Sequence, residues 1–345
     1  MKKLISDPLL VFGIAFLIVF GAIILRSVAS DFFPVYWVYL VLAILSFIFF
    51  AKLDFSIVNA FTKHLYVFSI IFLILPLAIG EVTRGAIRWI PIGALTIQPA
   101  EIVRPFLLLF WANQLNGFEF KLARIMKLLV LLLLPVLLIL AQPSLGVAIL
   151  TFMGFVGVFL ATGVDRKLYL ILIFAAILAI PVGWFALAPY QRERITTFIS
   201  PQSDPSGAGY NAIQAMIAVG SGKMTGRGIG EGVQTQLYFL PERHNDFIFA
   251  SIAEELGFLG AGLVLVGSFF VLWRITSAVD NPKNPVARAF LSGVFLTLFT
   301  QTVVHIGMNM GLVPITGVPL PLVSAGGSSL LATMTMLGMV LSARK

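Results

Sequence analysis

The feature that most constrains this chain is a succession of long, uninterrupted apolar runs. Residues 8–25 (PLLVFGIAFLIVFGAIIL) carry no charged side chain, and comparable runs recur to the end of the sequence. A bilayer's hydrocarbon core takes about 20 such residues as a helix. In lipid every backbone polar group needs an internal partner, so only helices and closed barrels span. Barrel strands alternate apolar and polar residues. These runs are continuous, so helices are expected. Composition agrees: 59% of the 345 residues are hydrophobic and 11% are charged, against about 25% charged in soluble domains. That is too little polar surface to solvate a globule, which excludes soluble enzymes and disordered scaffolds.

The expected fold is therefore an all-α polytopic membrane protein, a single integral-membrane domain over residues 1–345. The runs predict about ten transmembrane helices: 8–27, 33–51, 64–80, 98–114, 126–142, 145–163, 167–187, 246–273, 287–310 and 321–342. The first is read as a retained span, because no small-residue cleavage site follows it. The run at 98–114 contains Glu101 and Arg104. The run at 126–142 contains Pro135 and ends at Gln142-Pro143, which suggests a tight turn or a short, broken helix.

Ten spans put both termini on one side. Segments on that side hold most of the Lys and Arg, including Lys52, Lys63, Lys121, Arg274 and Arg344. The short opposite loops hold only Arg26, Arg84 and Arg88. Basic loops face the cytoplasm, so both termini are expected there. The net charge of +8 then reports loops facing anionic lipid, and no nucleic acid is expected as partner. With no cysteine and three histidines, disulfides, zinc–thiolate sites, iron–sulfur clusters and His-rich metal centres are excluded. The long polar segment 188–245, between spans 7 and 8, is placed outside. Its aromatic and apolar residues favour a folded, functional loop over a loose connector.

Three constellations could carry chemistry. In FLPERHNDFIFASIAEELGF (239–258), Asn245 or Asp246 could cap the following helix. Alternatively, Asp246 is a carboxylate under a folded loop, where partial burial makes such a group a usable general base. On the residues alone both readings stand. Glu254 and Glu255 lie about 12–14 Å further along the same helix and suit structural pairing better than a proton path. In RGAIRWIPIGALTIQPAEIVRP (84–105), Arg88 and Trp89 sit at an interface where Trp is common. Gln98, Glu101 and Arg104 follow, and the latter two can pair at i,i+3. In VPITGVPLPLVSAGGSSL (313–330), Pro and Gly forbid a regular helix. Ser324, Gly326 and Gly327 could offer an anion backbone N–H groups. Two other features are discounted. GSGKMTGRGIGEG (220–232) has Met224 where a nucleotide loop needs Ser or Thr, although Lys223 and Arg227 could still touch a phosphate. His305, isolated in an apolar run, reads as a core histidine. Together these elements suit a ligand with a lipid tail, an anionic head and a polar remainder.

In this order, RWIPIGALTIQPAE, QPSLGVAIL, YQRERI, GSGKMTGRGIGEGVQTQLYFLPERHNDFIFASIAEELGF and GLVPITGVPLPLVSAGGSS resemble the SEDS family (shape, elongation, division and sporulation). These are the RodA- and FtsW-type proteins of bacterial cell-wall synthesis, and PITGVPLPLVS looks more like RodA. The resemblance implies a ten-helix plasma-membrane protein with an extracytoplasmic active site. It implies a peptidoglycan glycosyltransferase that polymerises lipid II and works with a class B penicillin-binding protein, a transpeptidase. It also implies that the catalytic carboxylate is Asp246. The acceptor's 4-hydroxyl would attack the donor's anomeric carbon, and polyprenyl pyrophosphate would leave. Arg88, Arg192, Arg194, Lys223, Arg227 and Arg243 are candidates for its charge. The resemblance fixes no cofactor; a divalent cation, Mg or Mn, is left open. The sequence departs from the family pattern at Ser144 (usually Asp), Ala100 (Ser), Arg104 (Lys), Asn245 (Thr), Ala325 (Tyr) and His305 (Asn). The competing classes are a flippase for the lipid-linked precursor and a non-catalytic scaffold for the penicillin-binding protein.

Overall fold

The computed structural model describes residues 7–79, 87–93, 95–117, 121–163, 187–204, 207–280 and 284–344. The predicted span 167–187 lies outside the described residues except for residue 187. The described chain is helical apart from one short hairpin. Its elements are α1 (Pro8–Val28), α2 (Phe33–Lys52), α3 (Phe55–Ala60), α4 (Thr62–Ile79), β1 (Ile90–Ile92), β2 (Leu95–Ile97), α5 (Pro99–Ile102), α6 (Arg104–Leu115), α7 (Leu122–Ala141) and α8 (Leu145–Leu160). After them come α9 (Pro189–Ile199), α10 (Ala208–Ser221), α11 (Val233–Gln236), α12 (Ile248–Val279), α13 (Pro285–Asn309) and α14 (Gly327–Ala343).

Among the described residues, α1, α2, α4, α7, α12 and α13 are long and apolar enough to cross a membrane. The apolar helices α8 and α14 are shorter, at 16 and 17 residues. The outer surface of these helices exposes Phe12, Val19, Leu45, Ile71, Val130 and Val266. So much exposed apolar surface marks contact with lipid rather than water. The fold is thus the expected all-α integral membrane architecture. α14 is buried almost all round, as a helix with no polar face must be. It packs chiefly on α2, while α13 packs on α8 and α12.

Local chemistry sets the helix ends. Asp7 caps α1 by accepting from the Leu10 amide at 3.2 Å, with Pro8 in the first turn. The same carboxylate receives Arg274 at the end of α12 and Arg344 after α14, tying three helix termini together. Asn284 caps α13 in the same way through the Ala287 amide at 2.7 Å.

Three expected spans are corrected. The run 98–114 is not one helix: a hairpin pairing Ile90 with Ile97 leads into the four-residue α5, and α6 begins only at Arg104. Pro99 and Pro105 each start a helix and so divide the run. Of the two readings of the run 126–142, the broken helix does not form, since Pro135 lies inside a continuous α7, while the tight turn at Gln142-Pro143 does. The run 246–273 is longer and bent: α12 continues to Val279, and Gly257 interrupts it at φ 65°, ψ −160°. A Cβ at Gly257 would lie 2.3 Å from the Gly226 nitrogen and 2.6 Å from the Met224 carbonyl. Only glycine meets both demands.

That kink explains GSGKMTGRGIGEG. Arg227 and Gly228 amides donate to the Glu254 and Glu255 carbonyls, and Phe258 and Leu259 amides donate to those of Lys223 and Met224. The glycines let two backbones approach, and these amides serve the fold rather than a phosphate. Glu254 accepts from the Gln234 and Thr235 amides at 2.8 and 3.0 Å, capping α11. Glu255 accepts from Ser27 and Gln236, both at 2.9 Å. The two carboxylates anchor the polar segment to the first part of α12, and these partners are amides and a hydroxyl rather than cations.

Candidate active site

A turn at residues 242–247 delivers Asp246. The Asn245 and Asp246 amides both donate to the Glu242 carbonyl, at 2.9 and 3.0 Å. The N-cap of α12 is Phe247, whose side chain makes no capping hydrogen bond. Asn309, from the end of α13, takes over that task. Its Oδ1 accepts from the Ala250 amide at 3.0 Å, while its Nδ2 donates to the Asp246 carbonyl at 3.1 Å and the His305 carbonyl at 2.7 Å. Of the two readings of Asp246, helix cap and functional carboxylate, the cap is therefore already supplied from elsewhere.

The half-buried Asp246 carboxylate lines a cavity of about 190 Å³, together with Arg88, Trp89, Gln98, Glu101 and Glu242. Ser144, Gly317, Gly326 and Ser329 complete the part of the wall used below. All three constellations of the sequence thus meet at one place. Asn245 Nδ2 donates to Asp246 Oδ1 at 2.8 Å. The other oxygen, Oδ2, faces Gly317, whose φ is +68° and whose missing Cβ would sit 3.3 Å away.

The surrounding loop is irregular backbone of the kind membrane proteins tolerate only inside protein or around a cavity. A polar stripe on α13 holds it. Gln301 Nε2 donates to the Pro319 carbonyl at 2.9 Å and to Ser329 Oγ at 3.1 Å. His305 Nδ1 pairs with the Val318 carbonyl at 2.7 Å, so His305 is the core histidine expected. Ser324 Oγ donates to the Asn245 carbonyl at 2.7 Å and accepts from the Leu320 amide. It fixes the Asp246 turn and does not line the cavity. The opposite wall is set by Gln98, whose amide donates to Ser328 Oγ at 2.9 Å and whose Nε2 donates to Ser144 Oγ at 3.1 Å. Where the resemblance leads one to expect a carboxylate, Ser144 therefore forms a neutral pair. Arg88 is steadied by the Pro143 carbonyl at 3.3 Å.

Glu101 and Arg104 form the predicted i,i+3 pair, 2.6 Å apart and buried. Glu101 also reaches the cavity wall. Of the six cationic candidates, only Arg88 lines this cavity. Arg194 donates to the Ile315 carbonyl at 3.0 Å behind the loop. Arg227 donates to Ser221, and Arg243 donates to the Val28 carbonyl at 2.7 Å while lying over the Tyr238 ring. Arg192 lies on α9 and Lys223 in the glycine-rich turn against α12, both away from the lining residues. Gly327 packs against the Tyr39 ring instead of facing the cavity. Among the described residues no three His, Asp or Glu side chains converge as a resident metal centre requires.

Sequence reasoning missed the stripe Thr297, Gln301, His305 and Asn309. Its signal was present: polar side chains every four residues in an apolar helix, all buried, lie along one face.

Residues 5–345 match the family model FTSW_RODA_SPOVE, described as cell cycle protein. The chain is 38% identical over 295 residues to the peptidoglycan glycosyltransferase MrdB of Escherichia coli K12, covering 85% of this chain and 80% of that one. It is 36% identical over 313 residues to a probable peptidoglycan glycosyltransferase FtsW of E. coli O6:H1, covering 88% and 75%. A chain of a solved peptidoglycan synthase complex, described as coordinating polymerization and crosslinking, superposes with a TM-score of 0.84 at 33% identity, covering 98% and 97%. The rod shape determining protein RodA of Thermus thermophilus does so with a TM-score of 0.73 at 30% identity, covering 98% and 96%. This chain belongs to the FtsW/RodA/SpoVE family, on its RodA-like side.

Proposed function

We propose that this protein is a peptidoglycan glycosyltransferase of cell elongation, polymerising lipid II with Asp246 as general base. The observation that carries this reading is the Asp246 carboxylate, relieved of capping and opening on a cavity that Arg88 and the N-terminus of α14 also reach. As the acceptor's 4-hydroxyl oxygen bonds to the donor's anomeric carbon, its proton passes to the Asp246 carboxylate. The anomeric C–O bond breaks and its electron pair leaves with polyprenyl pyrophosphate. Base catalysis of this kind is worth about 10²–10⁴-fold.

The leaving group carries charge that must be met as it develops. Arg88 supplies a full positive charge at the wall. The N-cap of α14 is Gly326, which makes no side-chain cap and lines the cavity, so about half a unit charge of helix dipole would favour an anion at that edge. Glu101 and Arg104 neutralise each other at the start of α6, which argues against a charged route along that helix of the kind a flippase would use.

The site lies on the extracytoplasmic face of a bacterial plasma membrane, with both termini in the cytoplasm and segment 188–245 outside. That side follows from the basic residues clustered at the opposite helix ends. The partner is a class B penicillin-binding protein. Leu237, Tyr238 and Phe239 are exposed on a segment that does not span, which is where such a partner finds apolar surface. The test is purified protein incubated with lipid II, with and without the partner, and analysed for glycan polymer. Polymer from wild type and none from Asp246→Asn supports the reading. Polymer at wild-type rate from Asp246→Asn overturns the assignment of the base, and no polymer from wild type with partner overturns the enzyme reading.

A further inference from the structure

The side chain of Asn245 lines the same cavity as Asp246 and hydrogen-bonds to it. A carboxylate only accepts hydrogen bonds, so the group facing Asp246 Oδ1 at 2.8 Å must be the Nδ2 amide nitrogen. The carboxamide orientation is thereby fixed, and Oδ1 of Asn245 points away from Asp246. That oxygen is buried and has no partner among the described residues. It lies at the cavity wall, 2.9 Å from where a Cβ on Gly326 would be. Asn245 also lines a smaller adjoining space of about 60 Å³, shared with Trp89, Gly326, Tyr39 and His244. The residue's backbone is held at both ends, its amide by the Glu242 carbonyl and its carbonyl by Ser324. The side chain therefore has little freedom to turn elsewhere. An unsatisfied buried acceptor costs about 1–3 kcal/mol, which a ligand donor at that point would recover.

We infer that Asn245 is a positioning and specificity residue: its nitrogen holds Asp246 so that Oδ2 faces the acceptor, and its oxygen accepts a hydrogen bond from the bound amino sugar. The donor is a hydroxyl or acetamido N–H, the two hydrogen-bond donors such a sugar presents. The two halves of the carboxamide serve different kinetic terms. The nitrogen acts through Asp246 and belongs to kcat. The oxygen touches substrate in the ground state as well as the transition state, and so belongs to KM. The inference rests on the glycosyltransferase reading and deepens it.

Two variants separate the halves. Asn245→Leu removes both donor and acceptor while keeping the branching of the side chain. Asn245→Thr keeps a hydroxyl able to donate to Asp246 but removes the carbonyl. Initial rates are measured over a range of lipid II concentrations in the partner-bound enzyme, alongside wild type and Asp246→Asn. Melting temperatures confirm that each variant is folded. Asn245→Leu is expected to lose about 10–100-fold in kcat, the scale of a misplaced reacting group, and to raise KM. Asn245→Thr is expected to keep kcat within about threefold while raising KM about 2–10-fold, the value of one neutral hydrogen bond. A folded Asn245→Leu with wild-type kcat, or an Asn245→Thr that loses as much kcat as Asn245→Leu, overturns the inference. If Asp246→Asn is inert in the same series while Asn245→Leu is unaffected, the functional reading survives and the Asn245 inference alone fails.

Discussion

Arg104 is the first residue of α6 and is fully buried. A cation is disfavoured at a helix N-terminus, and burial makes it more costly still. Its Nη2 is paired with Glu101 Oε2 at 2.6 Å, while Nε and Nη1 have no partner among the described residues. Glu101→Gln leaves that guanidinium uncompensated, a loss of about 3–5 kcal/mol. Arg104→Met leaves a carboxylate, but one that edges the cavity and can be hydrated there, so its cost is lower. The double variant removes both charges and is expected to lose only about 1 kcal/mol. It should therefore be about 2–4 kcal/mol more stable than Glu101→Gln. For a chain of 345 residues, 1 kcal/mol corresponds to about 1–2 °C of melting temperature. Thermal unfolding in detergent should place Glu101→Gln roughly 3–10 °C below wild type, with the double variant recovering most of the difference. Additive losses, with the double variant the least stable of the set, would refute the pairing argument.

Gly257→Ala combines a glycine-only conformation with backbone contacts as close as 2.3 Å, so it should destabilise by about 3–5 kcal/mol and loosen the 222–230 turn, read as faster hydrogen exchange there. Gly317→Ala places a methyl 3.3 Å from Asp246 Oδ2 at a φ of +68°; it should lower kcat by about 10–100-fold while the protein still folds, and unchanged turnover would count against Oδ2 as the proton acceptor. Glu254→Leu removes the cap of α11 and leaves two amides without acceptors, so α11 should lose exchange protection before the spanning helices do. Binding of the penicillin-binding partner should protect amides across 207–240, and linkage requires that lipid II and partner each tighten the other's binding; full activity of the protein alone, with no change in protection on complex formation, would indicate simple tethering.

Much of the architecture was legible because a hydrophobic run needs no partner to be recognised: α1, α2, α4, α8 and α13 lie close to their predicted runs. The failure at 98–114 has a physical cause. Hydropathy averages over Pro99 and Pro105 and cannot see that each restarts the chain. The hairpin before it left a trace, since IPIGALTI sets Ile and Thr around Gly93, which adopts a φ of 62°, a pattern that favours a turn between strands. The cationic candidates could not be ranked from sequence because their positions depend on tertiary contacts. Arg243 is drawn to the Val28 carbonyl 215 positions away in sequence, and Arg194 to Ile315. Arg88 alone among them is left on the cavity wall.

The two readings of Asp246 were inseparable in sequence for a deeper reason. A short acidic side chain before a helix satisfies the local rule for a cap, and nothing nearby says that the rule is not being used. The deciding residue is Asn309, at the end of a different helix and 63 positions from Asp246. By satisfying the Ala250 amide and the Asp246 carbonyl together, it fixes the turn without calling on the carboxylate. Gln301 and His305 of the same stripe hold the opposing loop through backbone carbonyls. One helix face thus positions both sides of the cavity. Local consistency is given up where a site is built, and a distant element restores the missing hydrogen bonds. That exchange is the physical basis of the proposal that Asp246, at the wall of a membrane cavity, serves as a base rather than as a helix cap.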